Sequence, residues 1–143
     1  MRYDEGDVHA FEDAMVSFGG VLDQLEQVFF YYPRLKRVKD HVQNHLRDRV
    51  ALADAAGVAA YDPSYFCKWF HTHVGITFVQ WMKLCRVQSA CMILSGRYCS
   101  IAELADATGF QSVRTFERAF KSVIGIPPQA FRHLVRSLRL PHG

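Results

Sequence analysis

The stretch G-F-Q-S-V-R-T-F-E-R-A-F-K-S-V-I-G, Gly109 to Gly125, carries two phenylalanines at helical spacing, Phe116 and Phe120, with Arg114, Arg118 and Lys121 set between them. A helix of this kind has a narrow apolar side and a basic open side. A second copy of the pattern lies upstream. Anchored on the aromatic pairs, F-C-K-W-F-H-T-H-V-G-I (Phe66 to Ile76) superposes on F-E-R-A-F-K-S-V-I-G-I (Phe116 to Ile126) without a gap. The match continues with Trp81 on Phe131, Leu84 on Leu134 and Arg86 on Arg136, and an alanine-rich short helix precedes each copy. The chain therefore repeats one helix-turn-helix-plus-helix unit.

The register of the first turn follows from the same comparison. The hexapeptides L-A-D-A-A-G and L-A-D-A-T-G invite pairing Gly57 with Gly109, but that leaves unequal gaps to Phe66 and Phe116. Placing Ala60 at the turn instead aligns Leu52, Ala53, Ala56, Ala60 and Tyr61 with Ile101, Ala102, Ala105, Gly109 and Phe110, with one residue's difference in the turn. This register predicts an Ala where Gly sits more easily, at a cost of about 1 kcal/mol.

Apolar residues recur at three and four rather than two, so an all-α fold is expected. Helices are expected at about 8–31, 34–47, 52–60, 63–73, 78–95, 101–108, 113–123 and 128–138. Thr77 and Ser100 suit N-caps, Gly75, Gly96 and Gly125 suit helix stops, and Pro128 suits a first turn. The reading divides the chain into an acidic amphipathic helical extension at 1–33 and a domain at 34–143. Within the domain the first helix-turn-helix covers about 52–73, a long connecting helix about 78–95, and the second helix-turn-helix about 101–123.

Charge is unevenly spread over the 143 residues. Residues 1–32 hold one Arg against seven acids, a net of −6, and residues 33–143 hold sixteen Lys and Arg against seven acids, a net of +9. A basic body points to a polyanionic partner, and an acidic front to a separate role. No apolar run reaches the ~18 residues of a membrane span and the acidic start is unlike a signal peptide, so a cytoplasmic location is expected. The four cysteines, irregularly spaced, read as reduced core thiols.

In a helix-turn-helix the second helix enters the major groove while its apolar side holds the first. The outward positions are Val113, Arg114, Glu117, Arg118 and Lys121 in the second unit, and Ser64, Cys67, Lys68 and His71 in the first, after Asp62 as N-cap and Pro63 at the first helical position. Arg can grip guanine O6 and N7 with two bonds, Glu can accept from cytosine N4, and Val can touch a thymine methyl. The first helix, with one firm cation, is the weaker reader.

The series Gly109-Phe110-x-Ser112-x-x-x-Phe116-x-Arg118-x-Phe120-Lys121-x-x-x-Gly125-x-x-Pro128-x-x-Phe131-Arg132, with Arg86-x-x-x-Ala90-x-x-x-Leu94 on the connecting helix, resembles the signature of the AraC/XylS family of bacterial transcription activators. The resemblance covers about 34–138. It implies two helix-turn-helix units on a rigid connecting helix, binding adjacent major-groove segments of double-stranded DNA and recruiting RNA polymerase. Family base-reading positions fall on Ser64, Cys67, Lys68, Val113, Arg114, Glu117 and Arg118. Phosphate contacts are expected from His71, Ser112, Thr115, Lys121 and Arg86. Ala60 in the first turn and Cys67 among the readers depart from the pattern.

Other chemistries find little support. His41 with His45, and Cys67 with His71 and His73, lack a further ligand at close spacing, so no metal site is expected. No phosphate-binding Gly loop, nucleophile elbow or acid pair appears; no enzyme activity, cofactor or small-molecule ligand is expected.

The front segment adds a seam of Val8, Phe11, Met15, Phe18, Leu22, Leu25, Phe29 and Tyr32 in alternating steps of three and four. Gly19-Gly20 interrupts it, which predicts a kink or two shorter helices. The seam suits a helix packed on its own domain, or a contact through residues 8–32 with a second copy or a partner protein. In the latter reading the chain is a helical protein-interaction module acting on another regulator through the acidic helix. A front of this length has no room for the ligand-sensing β-barrel of longer family members, which implies a short stand-alone regulator or a piece lacking its sensor.

Overall fold

A computed structural model describes residues 5–48 and 52–139, and the described residues are all helical or connecting, with no strand. The helices are α1 (Glu5–Tyr31), α2 (Pro33–Asn44), α3 (Leu52–Val58), α4 (Pro63–Val74), α5 (Phe78–Gly96), α6 (Ile101–Ala107), α7 (Val113–Ile124) and α8 (Pro128–Arg139). None is long and apolar enough to cross a membrane.

Caps set the starts. Asp62 accepts from the Ser64 N–H at 3.0 Å and the Tyr65 N–H at 3.2 Å. Thr77 and Gln80 form a reciprocal capping box, Ser100 accepts from the Glu103 N–H, and Ser112 from the Thr115 N–H. Gly75 and Gly125 end α4 and α7 with φ of 92° and 93°. Gly96, expected as a stop, is instead the last residue of α5, and the chain leaves the helix through extended Arg97.

The turns of the two units match in their backbone hydrogen bonds. The Tyr61 N–H donates to Ala56 O as the Phe110 N–H does to Ala105 O, and Ala60 bonds Gly57 O as Gly109 bonds Asp106 O. The expected register is therefore the one adopted. Ala60 has φ +62° and Gly109 φ +85°. Ala60 is the only non-glycine with positive φ among the described residues, and its side chain strains the backbone there.

Two apolar cores form around the repeated aromatics. The first gathers Leu35, Val38, Ala55, Phe66, Phe70 and Trp81; the second gathers Leu104, Phe116, Phe120, Ile124, Phe131 and Leu134. Helix α5 serves both, giving Phe78, Trp81, Met82 and Cys85 to the first and Val87, Ala90, Cys91 and Leu94 to the second. That double duty explains its apolar residues on every side.

Helix α1 serves both as well. Phe11 and Phe18 enter the second core, and Leu25 and Phe29 the first. Of the two outcomes expected at Gly19-Gly20, the division into two shorter helices does not occur: α1 is one helix, held on either side of the glycines by buried Phe18 and Leu25. Of the readings open for the seam, the helix packed on its own domain is the arrangement seen, and the stripe is occupied within the chain.

The units also touch directly. A Cβ added at Gly109 would lie 2.2 Å from the Leu46 carbonyl oxygen, Arg47 pairs with Asp106 at 3.2 Å, and Lys83 donates to Ser122 at 3.2 Å. Replacing Ala60 by Gly relieves a left-handed residue and is expected to raise stability by about 1 kcal/mol. Gly109→Ala is expected to cost more than Gly125→Ala, because Gly125 has open space while Gly109 faces backbone. Urea unfolding midpoints of the three variants check both statements.

Candidate nucleic-acid interface

Helices α4 and α7 each bury one stripe and expose the other. Phe66, Phe70 and Val74 face inward from α4; Phe116, Ala119, Phe120 and Ile124 face inward from α7. All seven residues expected to read bases, Ser64, Cys67, Lys68, Val113, Arg114, Glu117 and Arg118, lie on the exposed sides. The fifty-residue repeat offset pairs Ser64 with Arg114, Cys67 with Glu117, Lys68 with Arg118 and His71 with Lys121. One geometry thus presents two chemistries: a guanidinium-rich face in the second unit and a small, polar face in the first.

The cations of these faces are available. The ion pairs among the described residues join Lys39 to Glu26 and Arg47 to Asp106, and neither includes Lys68, Arg114, Arg118 or Lys121. Of the residues expected at phosphates, His71, Ser112, Thr115 and Lys121 are exposed. Ser112 and Thr115 are linked to each other at the N-terminus of α7, the Ser112 hydroxyl donating to Thr115 Oγ1 at 2.9 Å.

Arg86 is less exposed than the other residues expected at phosphates. It lies half-buried on α5 in a groove of about 550 Å³ between the units, its guanidinium 6.0 Å from the Phe110 ring centroid. Its Nε is buried without a hydrogen-bond partner and lies 3.2 Å from where a Gly109 Cβ would be. Burial disfavours its charge and lowers its pKa from the ordinary value. The helical spacing that placed Arg86 on α5 says nothing of the second unit's turn closing over it.

The cysteines divide. Cys85, Cys91 and Cys99 are buried, as expected of core thiols, but Cys67 is exposed on the outer face of α4. Burial pushes the Cys85 and Cys91 thiols up to about 12. The histidines turn to local partners: His45 meets the His41 carbonyl at 2.7 Å and His73 the Trp69 carbonyl at 2.8 Å. No group of three His, Cys, Asp or Glu gathers among the described residues.

Two features escaped the sequence reading. Arg132 is buried and donates to the Cys99 carbonyl at 2.6 Å, tying α8 to the segment before α6. Tyr65, exposed on the first turn of α4, packs edge-on against Tyr61, over which Arg34 stacks at 4.6 Å. Its place beside Ser64 was visible in the sequence; its aromatic cluster was not.

The helix-turn-helix domain family matches residues 55–134, from α3 through most of α8. The chain belongs to the AraC/XylS family. The AraC/XylS family consists of DNA-binding transcription regulators and is not an enzyme class. Regulatory protein PocR of Salmonella typhimurium is 31% identical over 102 residues, covering 71% of this chain and 34% of PocR. The arabinose operon regulatory protein of the same organism is 30% identical over 104 residues, covering 70% and 37%. Among solved structures, the DNA-binding domain of AdpA in complex with a target DNA superposes with a TM-score of 0.69 at 26% identity, covering 73% of this chain and 95% of that one. This AraC/XylS chain thus spans about a third of the length of those curated relatives.

The burial pattern makes a chemical prediction. The thiolate is the reactive form, so iodoacetamide at pH 8 is expected to modify Cys67 and spare Cys85 and Cys91 in the folded protein. Peptide mass spectrometry after a short exposure checks this, with urea-unfolded protein as the control in which all four thiols react.

Proposed function

We propose that this chain is a sequence-specific double-stranded DNA-binding transcription regulator, an activator that recruits RNA polymerase, reading two adjacent major-groove segments through α4 and α7. The observation that carries the reading is the pair of equivalent outward faces, with Arg114, Arg118 and Lys121 exposed and in no ion pair among the described residues. The DNA complex of the AdpA domain supports it. Arg114, Glu117 and Arg118, with Val113, read bases in one groove; Ser64, Cys67 and Lys68 make the lighter contacts in the other. Ser112, Thr115, Lys121 and His71 meet phosphates, which fix register rather than sequence. Arg86 braces the units from within its groove.

A gel-shift series on genomic fragments at rising salt tests the reading. Affinity is expected to fall steeply, with log K linear in log salt, and absence of binding at low salt overturns the proposal. On the native site, Arg114→Ala and Arg118→Ala are each expected to cost roughly 1–3 kcal/mol and to relax preference at one or two base positions. Lys121→Ala weakens binding to all sequences alike and reduces the salt slope by about 1. Ser64→Ala and Cys67→Ala are milder than either Arg change; equal or larger losses reverse the ranking of the two units.

A further inference from the structure

Helix α1 lies outside the residues matched by the family, yet it touches equivalent points of both units. Phe29 stacks on Trp81 at 4.8 Å between centroids and also meets Phe70 at 6.0 Å. Phe11 meets Phe131 edge-on at 5.4 Å. Trp81 and Phe131 are the same position of the repeat, as their matching backbone bonds to Thr77 O and Pro127 O confirm.

The spacing of these anchors suits the task. Phe11 and Phe29 are eighteen residues apart, which is five turns of an α-helix, so both point the same way and stand about 27 Å apart along the axis. A continuous helix keeps that length, and each anchor is seated in its unit's aromatic core. Between them α1 runs past the ends of α4 and α7, where Ser17 and Val21 share a groove with Ile76 and Gly125.

We infer that α1 is a strap that fixes the separation of α4 and α7 and thereby selects the spacing of the two DNA half-sites. The inference rests on the DNA-reading function proposed above. Without α1, the two recognition helices are joined by α5 and by a few contacts at one side of it, Leu46 against the Gly109 turn, Arg47 with Asp106 and Lys83 with Ser122, and can rock about that side. A further rigid tie, anchored at homologous points of the two cores, removes the rocking, and operators with another spacing then demand distortion of the protein or the DNA. Phe11 and Phe29 are thus positioning residues that touch no base.

Gly19 and Gly20 lie at the midpoint between the anchors. A Cβ on either would meet nothing within 4 Å, so packing does not require glycine there. Their effect is on the helix itself, each weakening it relative to Ala. They make the middle of the strap its most compliant part, and replacing them stiffens it.

Spin labels on native Cys67 and on Glu117→Cys, equivalent positions of α4 and α7, measure the separation without DNA. The expected result is one narrow distance distribution, broadened in Phe11→Ala and in Phe29→Ala, and as narrow or narrower in the doubly substituted Gly19→Ala/Gly20→Ala. In parallel, unlabelled proteins with native Glu117 select from a random-sequence duplex library, and the distance between enriched half-sites is read by sequencing. The preference of the parent protein for one spacing is expected to fall about tenfold in Phe11→Ala, equivalent to about 1.4 kcal/mol. It stays or sharpens with the glycine replacements, which guard against a Phe variant that fails to fold. A folded Phe11→Ala with an unchanged distance distribution and spacing preference overturns the strap, as does broadening by the glycine replacements. Lack of any enrichment by the parent protein overturns the DNA reading instead, and with it the spacing role, whatever the spin labels report.

Discussion

Helices α4 and α7 are each held from behind by a row of three rings. Phe66, Phe70 and Trp81 form it in the first unit, at 5.8 and 5.5 Å; Phe116, Phe120 and Phe131 form it in the second, at 5.8 and 5.4 Å. Burying one such ring stabilises by about 1.5–3 kcal/mol, which is large beside what a seven-residue helix such as α3 or α6 contributes on its own. Remove the row and nothing presents the outward face, because among the described residues the cations of α7 make no ion pair that would hold them in place. The exposed chemistry is free to serve a partner only because the inner side does all the holding.

Neither row closes a core alone. Each unit is too small to bury its aromatics fully, so both borrow area from helices that run past the unit boundary. Helix α5 passes from one core to the other, and Leu84 packs against both. Helix α1 caps each row with a phenylalanine from the same side. Contact between the Gly109 turn and the Leu46 carbonyl adds a third point of fixation on the segment after α2. Rigidity of the pair follows from shared burial, which makes the acidic front a structural partner of the basic body.

The repeat made most of this fold legible before any coordinates. A gapless match over eleven residues specifies two helices, their inner faces and the turn between them, and the choice of Ala60 over Gly57 followed from counting residues. The exposed faces of α4 and α7 were legible for the same reason: helical period sorts inside from outside. Period does not say what covers an inside face. The seam of α1 was read correctly as apolar and regular, yet whether a second copy or its own domain covered it depended on where Trp81 and Phe131 stand in space. That α1 runs through Gly19-Gly20 as one helix was not legible, because intrinsic propensity says nothing of the tertiary anchors on either side. The partial burial of Arg86 was not legible because its neighbour, the Gly109 turn, lies far along the chain.

The two units have diverged in opposite directions, and the divergence has a physical logic. The first has the denser aromatic packing, with Trp69, Phe78, Tyr61 and Tyr65 added around its row, but carries Ser64, Cys67 and Lys68 outward and a strained Ala60 in its turn. The second has a leaner core and an unstrained Gly109, and carries Arg114, Glu117 and Arg118. Under the proposed reading, a face with Lys68 as its one firm cation supplies less contact energy of its own, so that helix relies more on packing and on its tie to its twin. A contact made by guanidinium groups supplies energy of its own. Under the proposed reading, strong contacts from one unit and strong packing in the other are complementary only if the units move as one body, and α1 and α5, which enter both cores, are what tie them.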